Sequence, residues 1–206
     1  MKRKTGRGAG FRGWEIALAL GLLVSLAAAY RAEAAASRLA DGIVRLHITA
    51  EGDGPEQQAL KLAVRDAVQA VTRPALEGVS GRDRAESRLR ALLPEIEAAA
   101  REAAVQGGRE TPVTAALDWE DFPTREYDTF ALPAGRYLSL RVSLGSGQGQ
   151  NWWCVVFPPL CDAASAEELA ETDALSGGDR RFITRDGVRY VIRFKLAEIW
   201  EKLRRR

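Results

Sequence analysis

The chain has 206 residues, enough for one domain with a proper core, and a formal net charge of +2. Six basic residues (Lys2, Arg3, Lys4, Arg7, Arg12, Arg31) stand against the single acid Glu15 before Ala32, and the remainder carries 24 basic and 27 acidic residues. The positive charge therefore belongs to the N-terminus, and the rest of the chain has no global basic signal for nucleic acid.

The basic segment ends at Arg12, and residues 14–30 are apolar apart from Glu15 and Ser25. The apolar core, residues 16–29, has 14 positions. That length suits a signal-peptide core better than a bilayer span of about 20 residues. Small residues follow as Ala27-Ala28-Ala29 and Ala32-Glu33-Ala34, either of which offers a cleavage site. The alternative is an uncleaved anchor whose helix continues through residues 32–39. Both readings make residues 1–31 an export segment and residues 40–206 a single α+β domain. No Cys follows the apolar run closely enough for a lipoprotein anchor.

Residues 43–50 alternate, with Val44, Leu46, Ile48 and Ala50 on one face and Arg45, His47 and Thr49 on the other. This predicts a half-buried strand. Glu51-Gly-Asp-Gly54 ends it, and Pro55 suits the first turn of a helix reaching Thr72. Leu60, Val64, Ala67, Val68 and Val71 form its apolar stripe. Arg73-Pro74 is expected to stop it. Residues 81–106 read as further helix, with Leu89, Leu92, Ile96, Ala99 and Ala103 in register. Pro94 predicts a kink there or a second helix start.

The period then changes. Residues 113–120, 137–144 and 152–157 alternate as strands joined by Gly/Pro-rich connections, which predicts an antiparallel meander. Residues 162–179 are acidic and Ala-rich, residues 189–194 read as a last strand and residues 195–206 as a last helix. The expected fold is an α+β two-layer sandwich, a mostly antiparallel sheet with helices on one face.

The most unusual stretch is Gly145-Ser-Gly-Gln-Gly-Gln-Asn-Trp-Trp-Cys-Val-Val-Phe-Pro-Pro-Leu-Cys161. Its glycines lead into a strand rather than a helix, so they read as a hairpin loop and not as a phosphate cradle. Adjacent Trp152 and Trp153 point to opposite faces of a strand, so both faces must meet apolar material. Cys154 and Cys161 are the only two cysteines. After export they could close a loop around Pro158-Pro159, worth roughly 2.5 kcal/mol for about eight residues. Two buried thiols are the equal alternative.

Catalytic signals are weak. Cys154 with His47, the only histidine, could form a nucleophile and base. Glu120 with Asp121, and Glu126 with Asp128, could be carboxylate pairs, but adjacent acids near loops usually form a solvated face. One His and no Cys/His cluster argue against a metal site, and no motif calls for a cofactor. Phe122, Pro123, Thr124, Arg125 and Tyr127 are the residue types that anchor interfaces, and Asn151, Trp152, Trp153, Pro158 and Pro159 join them as candidate partner-binding residues.

Three blocks resemble the stage II sporulation protein R family of endospore-forming bacteria. They are Ile43-Val-Arg-Leu-His-Ile-Thr-Ala with the Pro55-Glu-Gln-Gln-Ala-Leu-Lys-Leu-Ala-Val helix, Phe122-Pro-Thr-Arg-Glu-Tyr127 with Pro133-Ala-Gly-Arg-Tyr137, and the Gly-rich, Trp-Trp, Pro-Pro stretch ending at Cys161. The resemblance implies an intercompartmental signal, made in the forespore and exported to the space between forespore and mother cell. It implies no enzymatic activity of its own. Its implied partner is a membrane-embedded aspartic protease that processes pro-sigma-E. The alternative is an exported thiol- or carboxylate-dependent hydrolase acting on cell wall or protein.

Overall fold

The computed structural model of the chain describes residues 12–127 and 131–158. It divides into two compact units, Met1–Ser37 and Arg38–Arg206. The sequence-predicted helix at 162–179, strand at 189–194 and helix at 195–206 lie outside the described residues.

Helix α1 runs Gly13–Gly42, 30 residues without a break. Apolar side chains such as Leu18, Leu22, Leu23 and Leu26 are exposed along it. It is long and apolar enough to cross a membrane. Leu39 and Ala40 of its last turn belong to a core cluster of the second unit.

The second unit is built on a four-stranded sheet ordered β2-β5-β1-β6. Its strands are β1 (Val44–Thr49), β2 (Val113–Phe122), β5 (Gly135–Leu144) and β6 (Asn151–Phe157). A second, two-residue ladder pairs β3 (Arg125–Glu126) with β4 (Ala131–Leu132) and was not expected from the sequence. The β2–β5 and β1–β6 pairings are antiparallel and β1–β5 is parallel. The fold is thus α+β with a mostly antiparallel sheet.

The three later strands do not form the expected meander, because β1 inserts between β5 and β6. Burial explains the insertion. Val44, Leu46 and Ile48 are fully buried on one face, and Arg45 and Thr49 are buried on the other. A strand covered on both faces belongs at the centre of a sheet, whatever its alternation. The connection at residues 145–150 is consequently not a hairpin loop. It passes over the end of β1 and packs on the segment that follows β1, where Gly149 N–H donates to Ala50 O at 2.8 Å.

Helices α2 (Pro55–Leu76) and α3 (Arg82–Gln106) cover one face. Gly54 caps α2, its N–H donating to Gln57 Oε1 at 3.0 Å. Both helices run through an internal proline. Pro74 does not stop α2, because Leu76 is buried and holds the last turn in the core, where Glu77 N–H closes on Arg73 O. Pro94 does not end α3 either. It is exposed, so water can take the hydrogen bond its missing N–H leaves open. Leu60, Val64 and Val68 of α2 meet Leu89, Ile96, Ala100 and Ala104 of α3 and the inward residues of all four strands. A smaller cluster lies on the opposite face: Leu39, Ala40, Ile43, Phe122, Leu132, Tyr137 and Val155.

Candidate partner-binding face

The face of the sheet away from α2 and α3 carries alternate residues: Arg45 and His47 from β1, Glu120 and Phe122 from β2, Tyr137, Ser139 and Arg141 from β5, Asn151, Trp153 and Val155 from β6. Alternation along each strand forces this assignment once the helix-facing set is fixed.

One end of this face is covered. Arg45 lies there with no exposed surface, its guanidinium 4.4 Å from the Phe122 ring centre and 5.3 Å from that of Tyr137. Arg45 Nε donates to Cys154 O at 3.0 Å and Nη2 to Tyr127 Oη at 2.9 Å. Burial pushes the guanidinium pKa down, and the Tyr127 and Tyr137 hydroxyls oppose that shift. Tyr137 Oη donates to Pro133 O at 2.7 Å, and Tyr127 Oη donates to Trp153 O at 3.3 Å. The segment carrying Phe122 to Tyr127 is thereby folded back onto β6.

At the boundary of the covered end lies a polar and aromatic cluster. His47 Nδ1 is 3.3 and 3.4 Å from the two Glu120 oxygens, and Nε2 is 2.9 Å from Asn151 Oδ1. β5 separates β1 from β2, so His47 and Glu120 meet across an intervening strand. Ser139, a small residue with no exposed surface, occupies the midpoint of that diagonal. Arg141 adds an ion pair to Glu120 at 3.6 Å. Burial raises the Glu120 carboxyl pKa, but the hydrogen bonds to His47 and Ser139, with the His47 and Arg141 charges, together bring it below the ordinary carboxylate value. The His47 ring sits 5.8 Å from Trp153 and 6.0 Å from Phe122. The Arg125 guanidinium stacks on Trp153 at 3.6 Å from its ring centre.

The sequence-predicted anchors divide between roles. Pro123 and Thr124 are exposed, Arg125, Tyr127 and Trp153 are partly exposed, and Asn151 is exposed beside them. Arg125 and Tyr127 contact Trp153, His47 links Trp153 to Asn151, and Pro123 and Thr124 precede Arg125 on the same segment. Phe122 is buried in the smaller core and Pro158 is buried as well, so both support the face rather than present it. Trp152 points the other way, into the helix side, where Arg65 stacks on it at 4.8 Å. Pro159 and Cys161 lie outside the described residues, and with them any Cys154–Cys161 bridge.

The proposed nucleophile and base are not brought together. Cys154 pairs with Leu46 in the β1–β6 register and is buried in the helix-side core, while His47 is on the opposite face. Glu120 and Asp121 are also separated, because neighbours on β2 point to opposite faces. Asp128 is outside the described residues. Among the described residues no group of three or more His, Cys, Asp or Glu side chains could hold a metal. The sequence reading missed the partners of Arg45 and His47. Alternation did place both on one face, but only the strand order brings Glu120 and Asn151 to them.

A family model described as stage II sporulation protein R matches residues 40–167. Stage II sporulation protein R of Bacillus subtilis (strain 168) is 35% identical over 158 residues, covering 74% of this chain and 70% of that protein. No solved structure matches the chain.

Proposed function

The chain belongs to the stage II sporulation protein R family, and from that premise we propose that it is an exported, non-enzymatic signal of sporulation that activates a membrane-embedded aspartic protease. The protease then processes pro-sigma-E. Residues 1–31 direct the chain out of the forespore, and residues 14–30 hold it at the membrane where they are not cleaved. Residues 40–206 act as one signalling domain in the space between forespore and mother cell.

The observation that carries this reading is the family match, which spans the sheet, both packed helices and the candidate face. The apolar, exposed α1 supports export. The face formed by Pro123, Thr124, Arg125, Tyr127, Asn151 and Trp153 supports docking, since a partly exposed Trp under an Arg is a frequent interface anchor. Docking shifts the protease toward its active arrangement only as far as the signal binds that arrangement more tightly than the inactive one. The hydrolase alternative loses its thiol dyad to the opposite placement of Cys154 and His47.

Co-expression of the chain with the protease and its pro-sigma substrate tests the proposal. Processing that depends on the chain and survives Cys154→Ser is expected. Processing that is independent of the chain sinks the signalling role, and processing lost in a folded Cys154→Ser variant restores the thiol reading.

A further inference from the structure

His47 has both ring nitrogens engaged, and among the described residues every partner atom is a hydrogen-bond acceptor: the two Glu120 carboxylate oxygens and Asn151 Oδ1. Only the imidazolium can donate from both nitrogens. The neutral ring has one N–H and one lone pair. If it keeps its proton toward Glu120, its Nε2 lone pair faces the lone pairs of Asn151 Oδ1. Turning the Asn151 amide over restores the contact, because its NH2 then donates to Nε2. The cluster therefore has two satisfied arrangements that differ by one proton and a half-turn of one amide.

Asn151 is exposed. Among the described residues the end of its amide not held by His47 makes no hydrogen bond. That end is the NH2 when His47 is charged and the C=O when it is neutral. We infer that His47 is a proton-read switch that decides whether Asn151 shows a hydrogen-bond donor or an acceptor on the face beside Trp153. The switch is a property of this chain alone and stands or falls separately from the protease partner.

The surroundings supply opposing fields. β2 contributes Glu120, which favours the charged ring, and Asp118 one alternate position away. β5 contributes Arg141, opposite His47 in the sheet register, which opposes it. β1 adds the buried Arg45, and β3 adds Arg125 over Trp153. β6 places no charge here, only Asn151 and Trp153. Asn151 is also fixed at its backbone. The preceding Gln150 N–H donates to Asp53 Oδ1 at 2.7 Å and Gln150 O accepts from Lys61 Nζ at 2.9 Å. Turning the amide is a rotation about the terminal side-chain bond of Asn151 and leaves these backbone contacts in place.

His47 is the only histidine and Asn151 the only asparagine in the chain, so selective isotope labelling of each gives one residue's signals. The full chain in detergent is titrated by NMR between about pH 4.5 and 8.5, the range in which imidazole changes charge. The expected result is that the Asn151 side-chain NH2 signals shift with the same midpoint as the His47 ring. In Asn151→Ala the ring still titrates, which shows that the ring does not need the amide to change charge. Asn151 NH2 signals that stay fixed through the His47 titration overturn the switch.

Discussion

A Cβ built on Gly149 would stand 2.7 Å from the carbonyl carbon of Gly52 and 2.9 Å from its Cα. The two backbones are in contact because residues 145–150 must cross the end of β1 to reach β6. Gly147 adds a left-handed φ of +64° on the same crossing.

Gly149→Ala is therefore expected to lower stability by about 2–3 kcal/mol, since the clash is with backbone and cannot be relieved by a rotamer. Gln148→Ala, at an exposed position one residue away, should change it by less than about 0.5 kcal/mol. Urea midpoints of the two variants make the comparison.

Arg45 separates a packing role from a charge role. Its Nη1 has no partner among the described residues, so the charge is only partly compensated. Arg45→Ala removes the contacts to Cys154 O, Tyr127, Phe122 and Tyr137 and should cost about 3–5 kcal/mol. Arg45→Met keeps most of the volume between the two rings and should cost less than half of that. Equal losses in chemical denaturation would mean that the hydrogen bonds, not the packing, dominate.

Glu120 predicts a pH dependence. Its folded pKa lies below the ordinary carboxylate value, so its ionised form stabilises the fold above the unfolded value near about 4.3. That contribution disappears as pH falls through the lower folded value. Glu120→Gln should be less stable than the parent by about 1.5–3 kcal/mol near neutrality, the usual worth of a hydrogen bond to a charged group. The gap should close below about pH 4. Denaturation curves at four pH values would show it, and a gap that widens with acid would reverse the assigned sign.

Trp153→Ala and Arg125→Glu test the proposed docking face. Each is expected to cut pro-sigma processing by tenfold or more while circular dichroism stays that of the parent, about 1.4 kcal/mol of lost binding being enough. Arg65→Glu on the helix side serves as the comparison and should leave processing within twofold.

Leu22→Arg together with Leu23→Arg tests export by residues 1–31. Each Arg costs about 2.5–3.5 kcal/mol at the centre of an inserting helix. The double variant should remain on the cytoplasmic side in a protease-protection assay, and normal export of it would exclude α1 as the targeting element.

Several features were legible in the sequence for physical reasons that act locally. Period-2 alternation marked β1, β2, β5 and β6, and the Gly54-Pro55 junction marked the start of α2. The two helix prolines misled because their penalty is local and modest, while burial of Leu76 and the solvent position of Pro94 are set by distant residues. Pattern also assigned Trp152 and Trp153 to opposite faces, but not which face is open.

The sequence by itself determined the apolar N-terminal segment, the α+β class and the set of residues sharing each strand face, because composition and periodicity act along the chain. Only the tertiary structure decided that β1 lies between β5 and β6. That order puts Cys154 and His47 on opposite sides, brings Glu120 and Asn151 to one imidazole, and sets Gly149 against the Gly52 backbone. Strand order follows from burial of both faces of β1 by elements far apart in sequence, and alternation within one strand carries no record of its neighbours.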